Sequence, residues 1–108
     1  GHLVFATLHT SDAVSTISRI LDACSANAGE VRAQLADCLA GVISQKLLPK
    51  KGGGRVAAFE ILLGTPALKN LIREGRTHQL SSYLETSTKS GMITMQQSIE
   101  NLKAKDVI

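Results

Sequence analysis

The first dozen residues constrain the fold of this chain more than any other segment. His2 to His9 (HLVFATLH) form a continuous apolar run of strand length, which is typical of a strand buried on both faces of a parallel sheet. Thr10, Ser11 and Asp12 follow, and each is a good helix N-cap residue. Apolar residues then recur at helical spacing from Ala13 to Cys24. The sequence therefore predicts a buried strand, a tight turn and an amphipathic helix, an α/β arrangement.

A second helix and a β-hairpin are predicted next. Asn27 with Glu30 resembles a capping box, and the apolar stripe of this helix is expected to run through Val42 and Ile43 before Pro49 ends it near Ser44 to Lys46. Leu47–Leu48 and Val56 to Leu63 are predicted as strands that flank the glycine-rich tip at residues 50–54.

Three further helices are predicted towards the C-terminal end. Thr65–Pro66 begins the first and Gly75 ends it. The second starts near Thr77 and is broken by Gly91, and Thr94 with Gln97 forms the capping box of the last. The predicted fold class is thus α/β, with one buried strand, a β-hairpin and about five helices.

Composition excludes several classes of function. The chain has 108 residues, enough for one small domain or part of a larger one. Its net charge of +3 comes with only 3% aromatic residues, so a nucleic-acid partner is not predicted. No apolar run approaches the roughly 20 residues of a transmembrane helix. Cys24 and Cys38 fit no zinc pattern, so we predict no metal site and interpret both as reduced core residues of a cytoplasmic protein.

The chain lacks a nucleotide cradle of its own. A P-loop needs a Gly-Lys-Ser/Thr sequence at a helix N-terminus, and no Gly-Lys dipeptide occurs. The chain also begins at Gly1 without an initiator Met, which indicates a segment cut from inside a domain. We expect these residues alone neither to bind nor to hydrolyse ATP.

The segment Thr7 to Ser11 carries the most chemistry. It lies at the carboxyl end of the predicted strand, where ligands bind in open α/β sheets, and just before a helix N-terminus, which favours phosphate. His9 and Thr10 can each donate a hydrogen bond to a phosphate oxygen. The alternative is that His9 is a hydrogen-bonded residue at a strand end. His2 would lie about 23 Å from His9 in a straight strand, so it is expected to contact a neighbouring element or solvent.

A basic stripe is predicted on the helix that follows Thr65. Lys69, Arg73 and Arg76 recur at close to helical spacing, opposite the apolar face. The stripe is either a solvated helix face or a docking surface for a partner or an adjacent subunit.

Four segments carry a resemblance to a known family. Gly1 to Thr10 resembles the His box of type IV pilus and type II secretion ATPases, and residues 41–48 and 54–60 resemble the segments that follow it. The specific motif is similar to the Ala-Ile-Arg-Asn-Leu-Ile-Arg-Glu signature of the retraction branch, the PilT-type twitching-motility ATPases; its residues here are Ala67, Leu68, Lys69, Asn70, Leu71, Ile72, Arg73 and Glu74. Leu68 and Lys69 are its two mild departures. The resemblance covers essentially the whole chain in order.

The resemblance implies a fold and an activity. Residues 1–108 would be the C-terminal part of a RecA-like motor domain, from the His box to the C-terminal helices. An N-terminal PAS-like domain and the P-loop would precede them. The full-length protein would be a hexameric ATPase that powers pilus retraction, with ATP and Mg²⁺ as cofactors and none held by these residues alone. It would be cytoplasmic, peripheral at the inner membrane, with an inner-membrane pilus platform protein as partner.

The resemblance also implies roles for single residues. His9 and Thr10 would sense the terminal phosphate of ATP, with His2 the other His-box member. The signature helix would serve retraction without belonging to the hydrolysis site. The four-cysteine zinc motif usual in assembly and secretion ATPases is absent, which favours retraction.

Two alternatives remain open, namely a non-catalytic protein-interaction module and part of a related pilus-assembly or secretion ATPase. Self-association of the chain is expected because the predicted strand lacks sheet neighbours.

Overall fold

A computed structural model describes residues 1–108, and it contains five α-helices and one β-hairpin. In chain order these are α1 (Ala13–Ala23), α2 (Ala28–Cys38), β1 (Gly41–Pro49), β2 (Arg55–Leu63), α3 (Pro66–Arg73), α4 (Leu80–Glu85) and α5 (Met95–Ala104). Short 3₁₀ turns at Ser25–Asn27, Thr77–Gln79 and Thr88–Ser90 separate some of the helices. The α/β class, the hairpin and the number of helices are confirmed.

The hairpin is regular from end to end. β1 pairs antiparallel with β2 in one unbroken register, from Gly41 opposite Leu63 to Pro49 opposite Arg55. The three tip glycines at residues 52–54 all have positive φ angles, a conformation that glycine adopts at little cost. This requirement explains why a glycine run at this point predicted the hairpin correctly.

The predicted second helix is too long. α2 ends at Cys38, and Val42 and Ile43 belong to β1 rather than to a helical stripe. Val42 is half-buried and Ile43 is exposed, which is the alternation of a strand. The β-branched side chains gain cross-strand partners in Leu62 and Ile61, and this non-local pairing outweighs the helical spacing.

The strand predicted at residues 2–9 is not formed. These residues make no backbone hydrogen bond, and Leu3 and Phe5 are 81% and 88% exposed. A strand needs a neighbouring strand to satisfy its backbone groups, and the sheet consists of β1 and β2 alone. The prediction that this segment is buried is therefore wrong for the chain described here.

The core is aliphatic and lies where four helices meet one strand. Its fully buried side chains come from α1, α2, β2, α3, α4 and the segment before α5; they are Ala13, Ile17, Ala36, Leu62, Leu68, Ile72, Leu80, Leu84 and Met92. Burial of each Leu or Ile side chain stabilises the fold by about 1.5–3 kcal/mol.

The cysteines lie outside this core. Cys24 and Cys38 are both exposed free thiols, so the prediction that they are core residues is wrong. Cys24 follows the last residue of α1, and Cys38 is the last residue of α2. Helical spacing placed both cysteines on apolar helix faces, but both lie at helix ends and are exposed.

The local signals around α3 are confirmed. Thr65 caps this helix by accepting a hydrogen bond from the Leu68 amide, and Pro66 occupies the first helical position. Gly75 follows the helix with a φ of 73°.

None of the helices combines the length and apolar character needed to cross a membrane.

Candidate functional site

The N-terminus of α1 is the centre of the predicted site. Asp12 has an extended backbone, and its carboxylate accepts a 2.7 Å hydrogen bond from the Ser15 amide. Burial raises the pKa of the Asp12 carboxyl and is the largest single influence on it. Hydrogen bonds from Ser15, Ser11 and the Val14 amide together outweigh burial and lower this pKa below its ordinary value. Asp12 is therefore a charged N-cap at neutral pH.

His9 and Thr10 lie directly before this cap, but they are held differently. Thr10 is half-buried, and its hydroxyl oxygen lies 2.5 Å from that of Thr16, which in turn donates to the Asp12 carbonyl. His9 is exposed and makes no hydrogen bond, so the alternative of a hydrogen-bonded strand-end histidine finds no support in the structure. His2 is also exposed, in the same segment. The segment Thr7 to Ser11 is thus open to a ligand and not enclosed by the fold.

Sequence reasoning missed Glu60, which also contacts the N-terminus of α1. This β2 side chain is only 7% exposed. One carboxylate oxygen accepts a 2.8 Å hydrogen bond from the Ala13 amide, and the other accepts a 3.0 Å bond from the Met95 amide. A carboxylate between the positive ends of two helices is well placed electrostatically. The available signal was an acidic residue inside an otherwise apolar strand, because such a residue requires hydrogen-bond partners.

The eight-residue signature occupies α3 and the residue after it. Leu68 and Ile72 are fully buried and Leu71 is half-buried. Ala67, Asn70, Arg73 and Glu74 are exposed, and Lys69 is half-buried. The helix therefore has one core face and one polar face, as predicted.

The polar face of α3 is tied to α2 and is not a free basic stripe. Arg73 donates at 2.8 Å both to the Asp37 carboxylate and to the Asn70 side chain. The Lys69 ammonium lies 3.4 Å from the Asp37 carbonyl oxygen, where the C-terminus of α2 favours a cation. Arg76 pairs with Glu74 at 3.1 Å. Because these ion pairs are solvent-exposed, each contributes at most about 1 kcal/mol.

The two predicted regions do not form one site. No hydrogen bond or ion pair joins the His9–Thr10 segment to the signature helix. They share the core instead, since Ile17 of α1 and Ile72 of α3 belong to one buried cluster. Nor do any three His, Cys, Asp or Glu side chains lie close enough together to hold a metal ion.

Similar proteins point to pilus motors. The "Type IV pilus retractation ATPase PilT" of Pseudomonas aeruginosa is 49% identical over 109 residues, which cover 100% of this chain and 32% of that protein. The "Twitching motility protein" of Neisseria gonorrhoeae is 49% identical over 110 residues, covering 100% of this chain and 29% of that protein. A crystal structure of the pilus retraction motor PilT with bound ADP matches with a TM-score of 0.88 and 45% identity, over 100% of this chain and 30% of that one.

The chain thus spans about a third of the length of the curated relatives it matches. Its fold corresponds to the C-terminal part of the ATPase domain of such motors. The Type II/IV secretion system protein family matches residues 1–105. The chain is therefore a member of the type II/IV secretion system protein family.

Proposed function

We propose that this chain works as the C-terminal part of the RecA-like motor domain of a hexameric ATPase that powers type IV pilus retraction and twitching motility. One observation carries the proposal: the fold matches a pilus retraction motor at a TM-score of 0.88 over 100% of this chain. In this proposal the motor acts in the cytoplasm, at the inner membrane, on a pilus platform protein.

The residues of this chain fit one side of a nucleotide site. An exposed imidazole at His9 and the hydroxyl of Thr10, which lies beside that of Thr16 on α1, can each donate a hydrogen bond to a terminal phosphate. ATP would supply the bond that is hydrolysed, and Mg²⁺ would balance the negative charge of its phosphates. The P-loop that cradles the other phosphates would come from residues outside this chain, so the 108 residues alone should show no turnover when ATP is added. His2, exposed in the same segment, is the other His-box member in this proposal.

The phosphate-sensing role is tested by His9→Ala in the full-length protein. Removal of one hydrogen-bond donor to a developing charge typically lowers kcat by about 10²–10³-fold, and we expect a loss in this range with ADP affinity little changed. His78→Ala is the matched control, because His78 is also exposed and belongs to the 3₁₀ turn at Thr77–Gln79, outside the His9–Thr10 segment. An equal effect of the two substitutions on kcat would refute the role of His9.

The signature helix is proposed to serve retraction and not hydrolysis. Arg73→Ala should reduce twitching more than ATP turnover. Asp37→Ala is the informative control, because it breaks the same ion pair and leaves the Arg73 charge in place. If Asp37→Ala impairs twitching as strongly as Arg73→Ala, the pair merely stabilises the α2–α3 contact, and a partner-facing role for Arg73 is wrong.

Self-association of the isolated chain is proposed on its exposed apolar side chains. Leu3, Val4 and Phe5 are each at least 75% exposed in the N-terminal segment, and Ile43 is 70% exposed on β1. Such surface invites association between copies. Sedimentation velocity at rising concentration tests this, and a monomer throughout would contradict it.

A further inference from the structure

Glu60 forms the one hydrogen bond between the N-terminal quarter of the chain and the rest of the fold. Residues 1–23 make several hydrogen bonds among themselves, around Asp12 and Thr16. Their single hydrogen bond to any residue beyond α2 is the 2.8 Å bond from the Ala13 amide to Glu60. Apolar packing also locates α1, through the buried Ala13 and Ile17 and the half-buried Val14 and Leu21.

α5, the other helix that Glu60 contacts, is also held in place by hydrogen bonds that do not involve Glu60. The start of α5 is also fixed to β2 by two backbone hydrogen bonds, which join Ile61 and Ile93 in both directions at 2.9 and 3.1 Å. Thr94 and Gln97 complete a capping box that is independent of Glu60. Loss of the carboxylate should therefore loosen the start of α1 much more than the start of α5.

A short chain of contacts links Glu60 to the proposed phosphate-sensing residues. Glu60 holds the first amide of α1, and Thr16 on the first turns of that helix bonds both the Asp12 carbonyl and the Thr10 hydroxyl. His9 is the next residue and has no anchor of its own. The location of His9 and Thr10 is thus set by where α1 begins.

We propose that Glu60 is a positioning residue of the motor: by holding the first turn of α1 against β2, it places His9 and Thr10 for the terminal phosphate. This inference rests on the proposed function, and it adds a residue that need not touch the nucleotide.

The test combines Glu60→Met with His9→Ala in the full-length protein. Methionine fills a similar volume and offers no acceptor to either helix. If Glu60 acts through His9, the two substitutions are non-additive: once His9 is alanine, Glu60→Met should cost little further kcat. Hydrogen exchange supplies a second readout, with the peptide over residues 10–18 expected to exchange about tenfold faster in Glu60→Met. The peptide over residues 93–99 should change less.

Two further variants complete the design. Glu100→Gln removes one acidic charge from the exposed face of α5, where Glu100 bonds only Gln96, and it should leave kcat and exchange unchanged. If the Glu60→Met variant does not fold, Glu60→Gln takes its place in the double-mutant comparison with His9→Ala. The glutamine has one carbonyl oxygen, which can accept a hydrogen bond from only one of the two helices.

The outcomes separate the two proposals. Wild-type protein without ATPase activity would refute the proposed function, and the role of Glu60 in it. An active wild-type protein in which the Glu60 and His9 penalties add, or in which α1 exchange is unchanged, would overturn the Glu60 inference alone.

Discussion

Gly64 offers a sharp test of the packing that places the signature helix. This residue joins β2 to α3, and its amide donates a 2.9 Å hydrogen bond to the Ala40 carbonyl. A Cβ atom added at Gly64 would lie 2.1 Å from the Leu39 carbonyl oxygen and 3.2 Å from that of Ala40. Both neighbours are backbone atoms that cannot rotate away as a side chain would.

The expected cost follows from this geometry. Because ordinary contacts begin near 3.4 Å, Gly64→Ala would have to separate the two segments by roughly 1.3 Å. Overpacking of this kind costs about 1–3 kcal/mol, and loss of the Gly64–Ala40 hydrogen bond adds about 1 kcal/mol. We therefore expect the free energy of unfolding to fall by about 2–4 kcal/mol.

Gly29→Ala is the matched control, with the opposite expected sign. Gly29 lies in the first turn of α2, and the nearest atom to an added Cβ is a guanidinium nitrogen of Arg32 at 3.9 Å. Alanine is the better helix former, so this substitution should stabilise by up to about 1 kcal/mol. Urea unfolding followed by circular dichroism measures the free energy of unfolding of both variants, each made in a protein of the same length as the wild type. A Gly64→Ala variant within about 0.5 kcal/mol of wild type would refute the close approach.

Two further predictions concern Asp12 and the thiols. Hydrogen bonding lowers the pKa of Asp12 in the folded state, so the stabilisation by this carboxylate is present above the unfolded pKa and is lost as the pH falls through the folded pKa. Asp12→Ala should therefore lower the free energy of unfolding by about 1 kcal/mol at pH 7. In urea unfolding below about pH 4, the free energy of unfolding of this variant should depend less on pH than that of wild type. Cys24 and Cys38 should both react with a thiol reagent under native conditions, and reaction of either one only after denaturation would contradict their exposure.

The elements that sequence reasoning predicted well are those specified by local chemistry. The Asp12, Thr65 and Thr94 caps each act within one turn of their own helix, and the tip glycines act through their own φ angles. Such signals need no knowledge of distant parts of the chain. They gave the starts of α1, α3 and α5 and the position of the hairpin.

The elements it predicted badly depend on partners far along the chain. Val42 and Ile43 fit a helical stripe as well as a strand, and only the pairing with β2 decides between them. Residues 2–9 have the composition of a buried strand, but a strand exists only where another strand accepts its hydrogen bonds. Burial of Cys24 and Cys38 likewise depends on how far the neighbouring elements extend.

The candidate site shows the same division between what a sequence reveals and what it hides. His9 and Thr10 are predicted as site residues from a local pattern, polar groups between an apolar run and a helix, and their role stays a prediction. Glu60 could be recognised only as a residue in need of partners, since a buried carboxylate without hydrogen bonds would be too costly to retain. Which partners it has is a tertiary fact: the Ala13 amide lies 47 residues before it and the Met95 amide lies 35 residues after it. A residue that joins two distant helix ends therefore leaves a trace of its burial in the sequence, but no trace of the contacts through which it acts.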